Sequence, residues 1–299
     1  MPGRPGSGSV YTARGVYAVL AVQQLMASGT HIVAKVIVQQ VDPFTLTFVR
    51  TLISASAMLL ILLLRGKAPA IRREDYRMFL WLAFLGVPLN QFLFLYGMRF
   101  TIPSNAALLY ATTPVVVLLF SHFFLGESLT RRKAAGVVLG FAGVTIVIFE
   151  RGLSASMEYL LGNVMIFVAV LAWALYTVYG RTMIVKYGAI ESSALSLIGG
   201  TILFFPIGVV SALRFPFGTL TAAHWLQIGY LSIVTSVVSY LLWYYALGRI
   251  EAGKVAMFSN FQPIIVTALA VTLLGQSVTV PFVAGGCIAL AGVVIAQFG

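Results

Sequence analysis

The second half of this sequence repeats the first. Shifted by 149 positions, Leu125-Gly126-Glu127-Ser128-Leu129-Thr130 falls on Leu274-Gly275-Gln276-Ser277-Val278-Thr279. From Leu125 to Ile146, 10 of 22 positions are identical, where chance in so apolar a composition gives roughly two. The same shift places Pro114 on Pro263 and Tyr96 on Tyr245. A duplicated membrane chain is the usual construction of a secondary transporter, with its substrate site between the halves.

The membrane assignment follows from composition. Hydrophobic residues make up 60% of the 299 and charged residues 9%, against about 25% charged in a soluble domain. A hydrocarbon core of about 30 Å needs ~20 helical residues. Ten apolar runs meet that need, over residues 15–38, 43–64, 77–99, 103–125, 131–149, 159–181, 190–212, 224–247, 252–274 and 279–298. The first run holds Gln23, Gln24, His31 and Lys35 with no small-residue cleavage site after it, so it is not a secretory signal. The net charge of +11 needs no nucleic acid. With the N-terminus inside, 14 Lys and Arg fall in inner segments, 4 in outer ones, and Arg50 in a span. That bias predicts both termini on the cytoplasmic face of the membrane.

Each half has five spans, so the second enters the membrane from the opposite side. The expected fold is an all-α polytopic membrane protein of ten transmembrane helices, built as two inverted five-helix repeats. Residues 1–14, rich in Gly, Pro and Ser, are expected to be a flexible cytoplasmic tail. The first repeat is 15–149, the linker 150–158 and the second repeat 159–299. Spans five and ten carry Gly136, Gly140 and Gly143, and Gly285, Gly286 and Gly292. Small residues let helices approach closely, which predicts a scaffold pair; a hinge or pore is the alternative.

Candidate binding residues come from polar and aromatic groups inside spans. Gln24, Ser28, His31 and Lys35 share one helical face of span one. Gln24 and His31 are expected to line a cavity, and Lys35 to snorkel or pair near the outer interface. Arg50 lies inside span two, while all eight acids lie in loops or at span ends. It either bonds carbonyls freed at a broken helix or attracts a substrate carboxylate. Span three adds Asn90 and Gln91, and span six Trp173 and Tyr176. Span eight adds Ser232, Thr235, Ser236, Ser239, Tyr240 and Trp243, and span nine Asn260. Aromatic walls with a few hydrogen-bonding groups suit a small amphipathic molecule with a ring, unless these aromatics are packed or lipid-facing. Pro114 and Pro263, each after polar residues, are expected to let spans four and nine bend for gating; a static kink is the alternative.

Enzyme chemistry finds little support. His31, His122 and His224 are scattered, with no paired carboxylates and no phosphate loop. His122 is expected to be a packing residue. Cys287 is the only cysteine, expected to be a buried thiol. No cofactor, metal or obligate protein partner is expected.

The repeated L-G-(E/Q)-S-(L/V)-T before a glycine-rich span, Arg50 after Asp42-Pro43, and Tyr96-Gly97-Met98-Arg99 against Tyr245-Ala246-Leu247-Gly248 resemble the drug/metabolite transporter superfamily, specifically its EamA-type members. Within it, the chain looks most like bacterial aromatic amino-acid exporters of the YddG type. That resemblance implies efflux of phenylalanine, tyrosine, tryptophan and similar compounds. Gln276 stands where the first half has Glu127, which speaks against a symmetric acid pair.

Together these features predict an exporter working by alternating access about a cavity lined by spans one, three, four, six, eight and nine. Its partners would be a small-molecule substrate and membrane lipid. Substrate is expected to run down its gradient, with His31 the one group that could couple protons near neutral pH. An anionic-metabolite antiporter, an intramembrane lipid enzyme and a non-transporting scaffold are the rivals.

Overall fold

A computed structural model describes residues 9–66, 71–125, 129–150 and 156–298. Glu127 and most of the expected linker lie outside these residues. Ten helices follow in order: α1 (Ser9–Ile37), α2 (Pro43–Leu64), α3 (Arg73–Phe100), α4 (Pro103–Phe124), α5 (Arg131–Ile148), α6 (Met157–Tyr187), α7 (Ala189–Arg214), α8 (Ala222–Leu247), α9 (Ala252–Leu274) and α10 (Val280–Phe298). Helix starts follow local chemistry. Asp42 Oδ1 accepts from Phe44 N at 3.1 Å and Thr45 N at 3.0 Å, with Pro43 in the first turn of α2. Ser156 caps α6 in the same way. Gly275, at φ 62°, ends α9 in the left-handed conformation that glycine takes without steric cost.

Eight of these helices are long and apolar enough to cross a membrane: α1 to α4 and α6 to α9. The protein is therefore a multi-pass membrane protein. The two others are α5, which opens on Arg131, Arg132 and Lys133, and the short α10. The first helix already includes Ser9, where composition suggested a span from residue 15.

Helices α5 and α10 pack as expected of a scaffold pair. A Cβ added at Gly136 would lie 2.4 Å from Ala296 N and 2.6 Å from Gly292 O. One at Gly143 would lie 2.4 Å from Ala289 N and 2.6 Å from Gly285 O. Gly136 meets the far end of α10 and Gly143 its near end, so the two helices run antiparallel. Backbone contact this close is open to glycine alone. Cys287 corrects an expectation. It is exposed rather than buried, because the glycine face of α10 turns inward and carries Cys287 outward.

Four helices are irregular midway. In α3, residues Leu85–Gln91 form a π-helical turn around Pro88. Proline has no N–H and collides with the preceding turn, which widens the ladder. In α8, Tyr230–Ser239 is also π-helical. Ser232, Thr235 and Ser236 hydroxyls donate there to Ile228 O and Leu231 O at 2.7–3.0 Å, competing with backbone bonds. Helix α4 breaks at Ala111 and Thr112, before Pro114. Helix α9 tightens to a 3₁₀ turn over Phe258–Phe261, before Pro263. Shifted by 149, the irregular segments of α3 and α8 overlap, as do those of α4 and α9.

Polar contacts close the two ends of the bundle. At one end Asn105 Nδ2 donates to Tyr159 Oη at 2.8 Å, and Tyr159 Oη donates to the buried Glu150. Thr279 Oγ1 donates to the same carboxylate at 3.0 Å. Lys35 belongs to this end. Its Nζ donates to Met98 O at 3.1 Å and Thr101 O at 2.6 Å, capping the last turn of α3. Structural pairing, not snorkelling, describes it. At the other end Lys186 Nζ donates to Asp75 Oδ1 at 2.9 Å, and Arg65 lies 3.4 Å from Glu191.

Candidate functional site

Between these ends the broken helices leave a cavity of about 90 Å³. Helix α1 contributes Gln23, Gln24 and His31, and α3 contributes Asn90, Gln91 and Phe94. Arg50 of α2, Tyr110 of α4, Trp173 of α6, and Tyr240 and Trp243 of α8 complete most of its wall. The volume holds a few waters and falls below the about 300 Å³ of an ordinary small-molecule pocket. A ring-bearing ligand would fill it only as the surrounding helices part.

The aromatic wall is continuous. The Trp173 ring lies 5.1 Å from Tyr240 and 5.4 Å from Trp243, and it stacks on Tyr176 at 5.4 Å. Across from it His31 meets Phe94 and Tyr110 edge-on, at 5.3 and 5.8 Å. Such offset and edge contacts fix ring planes beyond what burial alone does.

The polar wall is built on the π-helical turns. Arg50 Nε donates to Leu231 O at 3.1 Å and Ser236 Oγ at 2.9 Å, and Nη2 to Thr235 Oγ1 at 3.0 Å. The widened turn of α8 frees the Leu231 carbonyl for this guanidinium. Ser54, one turn on, donates to Ser232 O at 2.8 Å. Asn90 Nδ2 donates to Tyr110 Oη at 2.7 Å and Ala169 O at 2.9 Å. Gln91 Nε2 donates to Tyr240 Oη at 3.4 Å. Gln24 Nε2 donates to Gln23 Oε1 at 2.8 Å, and Gln23 Nε2 to Ser239 Oγ at 3.0 Å. Five buried polar atoms around the cavity have no protein partner: Gln24 Oε1, His31 Nε2, Arg50 Nη1, Trp243 Nε1 and Gln262 Oε1.

The structure thus brings together Gln24, His31, Arg50, Asn90, Gln91, Trp173, Tyr240 and Trp243. Tyr176 stands behind Trp173 and does not line the cavity. Asn260 is also outside it; the 3₁₀ turn rotates Ser259 and Gln262 to the wall instead. Pro114 borders a second hollow of about 320 Å³ with Lys133, Arg181 and Lys254, and Pro263 is buried at the first turn of the second half of α9. His122 is half-buried with its ring 5.2 Å from that of Phe123, and His224 accepts from Thr221 N in a helix cap. No cluster of His, Cys, Asp and Glu able to hold a metal occurs among the described residues.

The sequence pattern of the EamA-like transporter family matches this chain twice, over residues 14–149 and 160–298. The chain belongs to the EamA-like transporter family. It is 32% identical over 279 residues to an uncharacterized transporter of Archaeoglobus fulgidus, covering 92% of this chain and 94% of that one. It is 26% identical to the uncharacterized transporter YetK of Bacillus subtilis, over 91% of this chain and 84% of YetK. A solved crystal structure aligns with 95% of this chain and 96% of its own at a TM-score of 0.68 and 20% identity, a likeness of fold. This EamA-like protein is thus a membrane transporter. Gln23, Ala27, Thr30, Phe94, Tyr110, Ser259 and Gln262 also line the wall and are not among the residues the sequence marked as binding candidates. Phe94 carried a usable signal, since it stands one helical turn after the polar Asn90.

Proposed function

We propose that this transporter exports aromatic amino acids or similar small amphipathic metabolites across a bacterial inner membrane by alternating access. The observation that carries this is the central cavity, where stacked rings face hydrogen-bonding groups from both halves of the chain. The chain would cross the membrane ten times as two inverted five-helix repeats with both termini cytoplasmic. The antiparallel packing of α5 on α10, and the matched breaks in α3, α8, α4 and α9, support that arrangement. The hollow beside Pro114, with Lys133, Arg181 and Lys254, would be the cytoplasmic mouth.

An anionic-metabolite antiporter is less well supported. Lys35 is engaged with backbone carbonyls, which leaves Arg50 as the one Lys or Arg among the residues lining the cavity. A phosphate group of nearly two charges calls for more.

The test is flux in proteoliposomes holding the purified protein, with and without a pH gradient, against a panel of aromatic, aliphatic and phosphorylated compounds. Protein-dependent flux of ring-bearing compounds is expected. Movement of phosphorylated compounds alone would overturn the proposal.

A further inference from the structure

The cavity's unpartnered atoms form a pattern that specifies charge. Arg50 is 3% exposed, and its Nε and Nη2 are held by α8 while Nη1 has no partner. Trp243 Nε1 is a second free donor. The free atoms from α1 and α9, Gln24 Oε1 and Gln262 Oε1, are neutral acceptors. His31 Nδ1 lies 3.1 Å from Ala27 O, which can only accept, so Nδ1 carries a proton and Nε2 of the neutral ring accepts. No Asp or Glu lines the cavity among the described residues.

Resting on the proposal that this cavity holds the substrate, we infer that a substrate carboxylate docks on Arg50 Nη1 and that the cavity selects ring-bearing monocarboxylates with a neutral donor beside the acid over zwitterions and amines. A guanidinium buried without a carboxylate is an uncompensated charge, and one carboxylate neutralises it. The fork held by Leu231 O, Thr235 and Ser236 keeps Nη1 oriented before the ligand arrives. A hydroxyl on the adjacent carbon can donate to Gln24 Oε1, Gln262 Oε1 or His31 Nε2 at no charge cost. An ammonium there finds the same acceptors but no opposite charge. It keeps most of its desolvation penalty, which contact with the Trp173 or Trp243 face only partly returns.

Three ligands sharing a phenyl ring on a two-carbon chain separate the terms: L-3-phenyllactate, L-phenylalanine and phenethylamine, the last without the carboxylate. The full-length protein in detergent micelles is titrated with each by calorimetry, and each is run in flux with protein-free liposomes as the baseline. Phenyllactate is expected to bind at least tenfold tighter than phenylalanine, and phenethylamine weakest. Arg50→Gln should erase the preference for phenyllactate over phenethylamine. If that variant does not fold, the wild-type series decides alone. Phenylalanine binding as tightly as phenyllactate, or phenethylamine matching either, overturns this inference and leaves the proposed transport of ring compounds standing. Absence of binding and flux for all three overturns both.

Discussion

Gln91 and Tyr240 stand 149 positions apart, the repeat shift itself, and they touch: Gln91 Nε2 donates to Tyr240 Oη at 3.4 Å. Equivalent residues of two repeats meet only where a two-fold axis would pass between them. Both residues border the cavity and both lie at the end of a π-helical turn or next to it. The contact is long, so its net worth is small, about 0.5 kcal/mol. Tyr240→Phe keeps the ring and should leave the melting temperature and flux of a ring-bearing substrate nearly unchanged. Trp173→Ala removes the ring that Tyr240 and Trp243 both touch. Flux per molecule should fall about tenfold, a barrier change of ~1.4 kcal/mol. Equal flux in wild type and Trp173→Ala would assign Trp173 to packing.

The glycine seam makes a sharper stability prediction. Gly136→Leu puts a side chain where Ala296 N stands 2.4 Å from the Cβ position. Backbone must move, and the loss should reach about 3 kcal/mol or more. Gly253→Ala meets nothing within 4 Å and should change stability by less than about 0.5 kcal/mol. Thermal melts in detergent compare the two; a milder effect at Gly136 than at Gly253 would refute the packing.

Pro114 and Pro263 follow matching helix breaks. If the breaks serve gating, replacing either with alanine restores a backbone donor and should shift the balance of open states. The shifts should run in opposite senses for the two prolines. Labelling of single cysteines at each end, in a Cys287→Ala background, reads the shift. A lowered melting temperature with unchanged labelling would leave the breaks a purely architectural role.

Orientation is tested by fusions. The cation bias predicts a cytoplasmic C-terminus. A reporter after Gly299 should be active in a cytoplasmic format only, and a periplasmic signal would refute ten crossings.

What the sequence disclosed follows the residues that act by themselves. The glycines at 136 and 292 allow close approach and the prolines at 114 and 263 follow helix breaks, and both residue types are visible in the sequence itself. Gln24, His31 and Trp173 declared themselves as groups out of place in hydrocarbon. The π-helical turn of α8 did not. Besides the local Thr235 and Ser236 hydroxyls, Arg50, 181 positions from Leu231, donates to the same carbonyl. The position of Asn260, outside the cavity wall, has a similar origin. An α-helix advances about 100° per residue, and the 3₁₀ turn over Phe258–Phe261 departs from that, so which of these polar residues faces the cavity is not legible from helical spacing. Cys287 was misjudged because burial of a helix in lipid is not burial in protein.

The seam between α5 and α10 also has a mechanical consequence. Gly136 and Gly143 meet Gly292 and Gly285 with almost no side chain between the backbones. Such a joint has no rotamers to rearrange, so it cannot creep as interdigitated side chains can. Under the proposed alternating access it would serve as an axle. Compliance is left to the four irregular helices around the cavity, and a small tilt about the axle is magnified with distance from it. The residues that would then move furthest are those at the two ends of the bundle, not those lining the cavity.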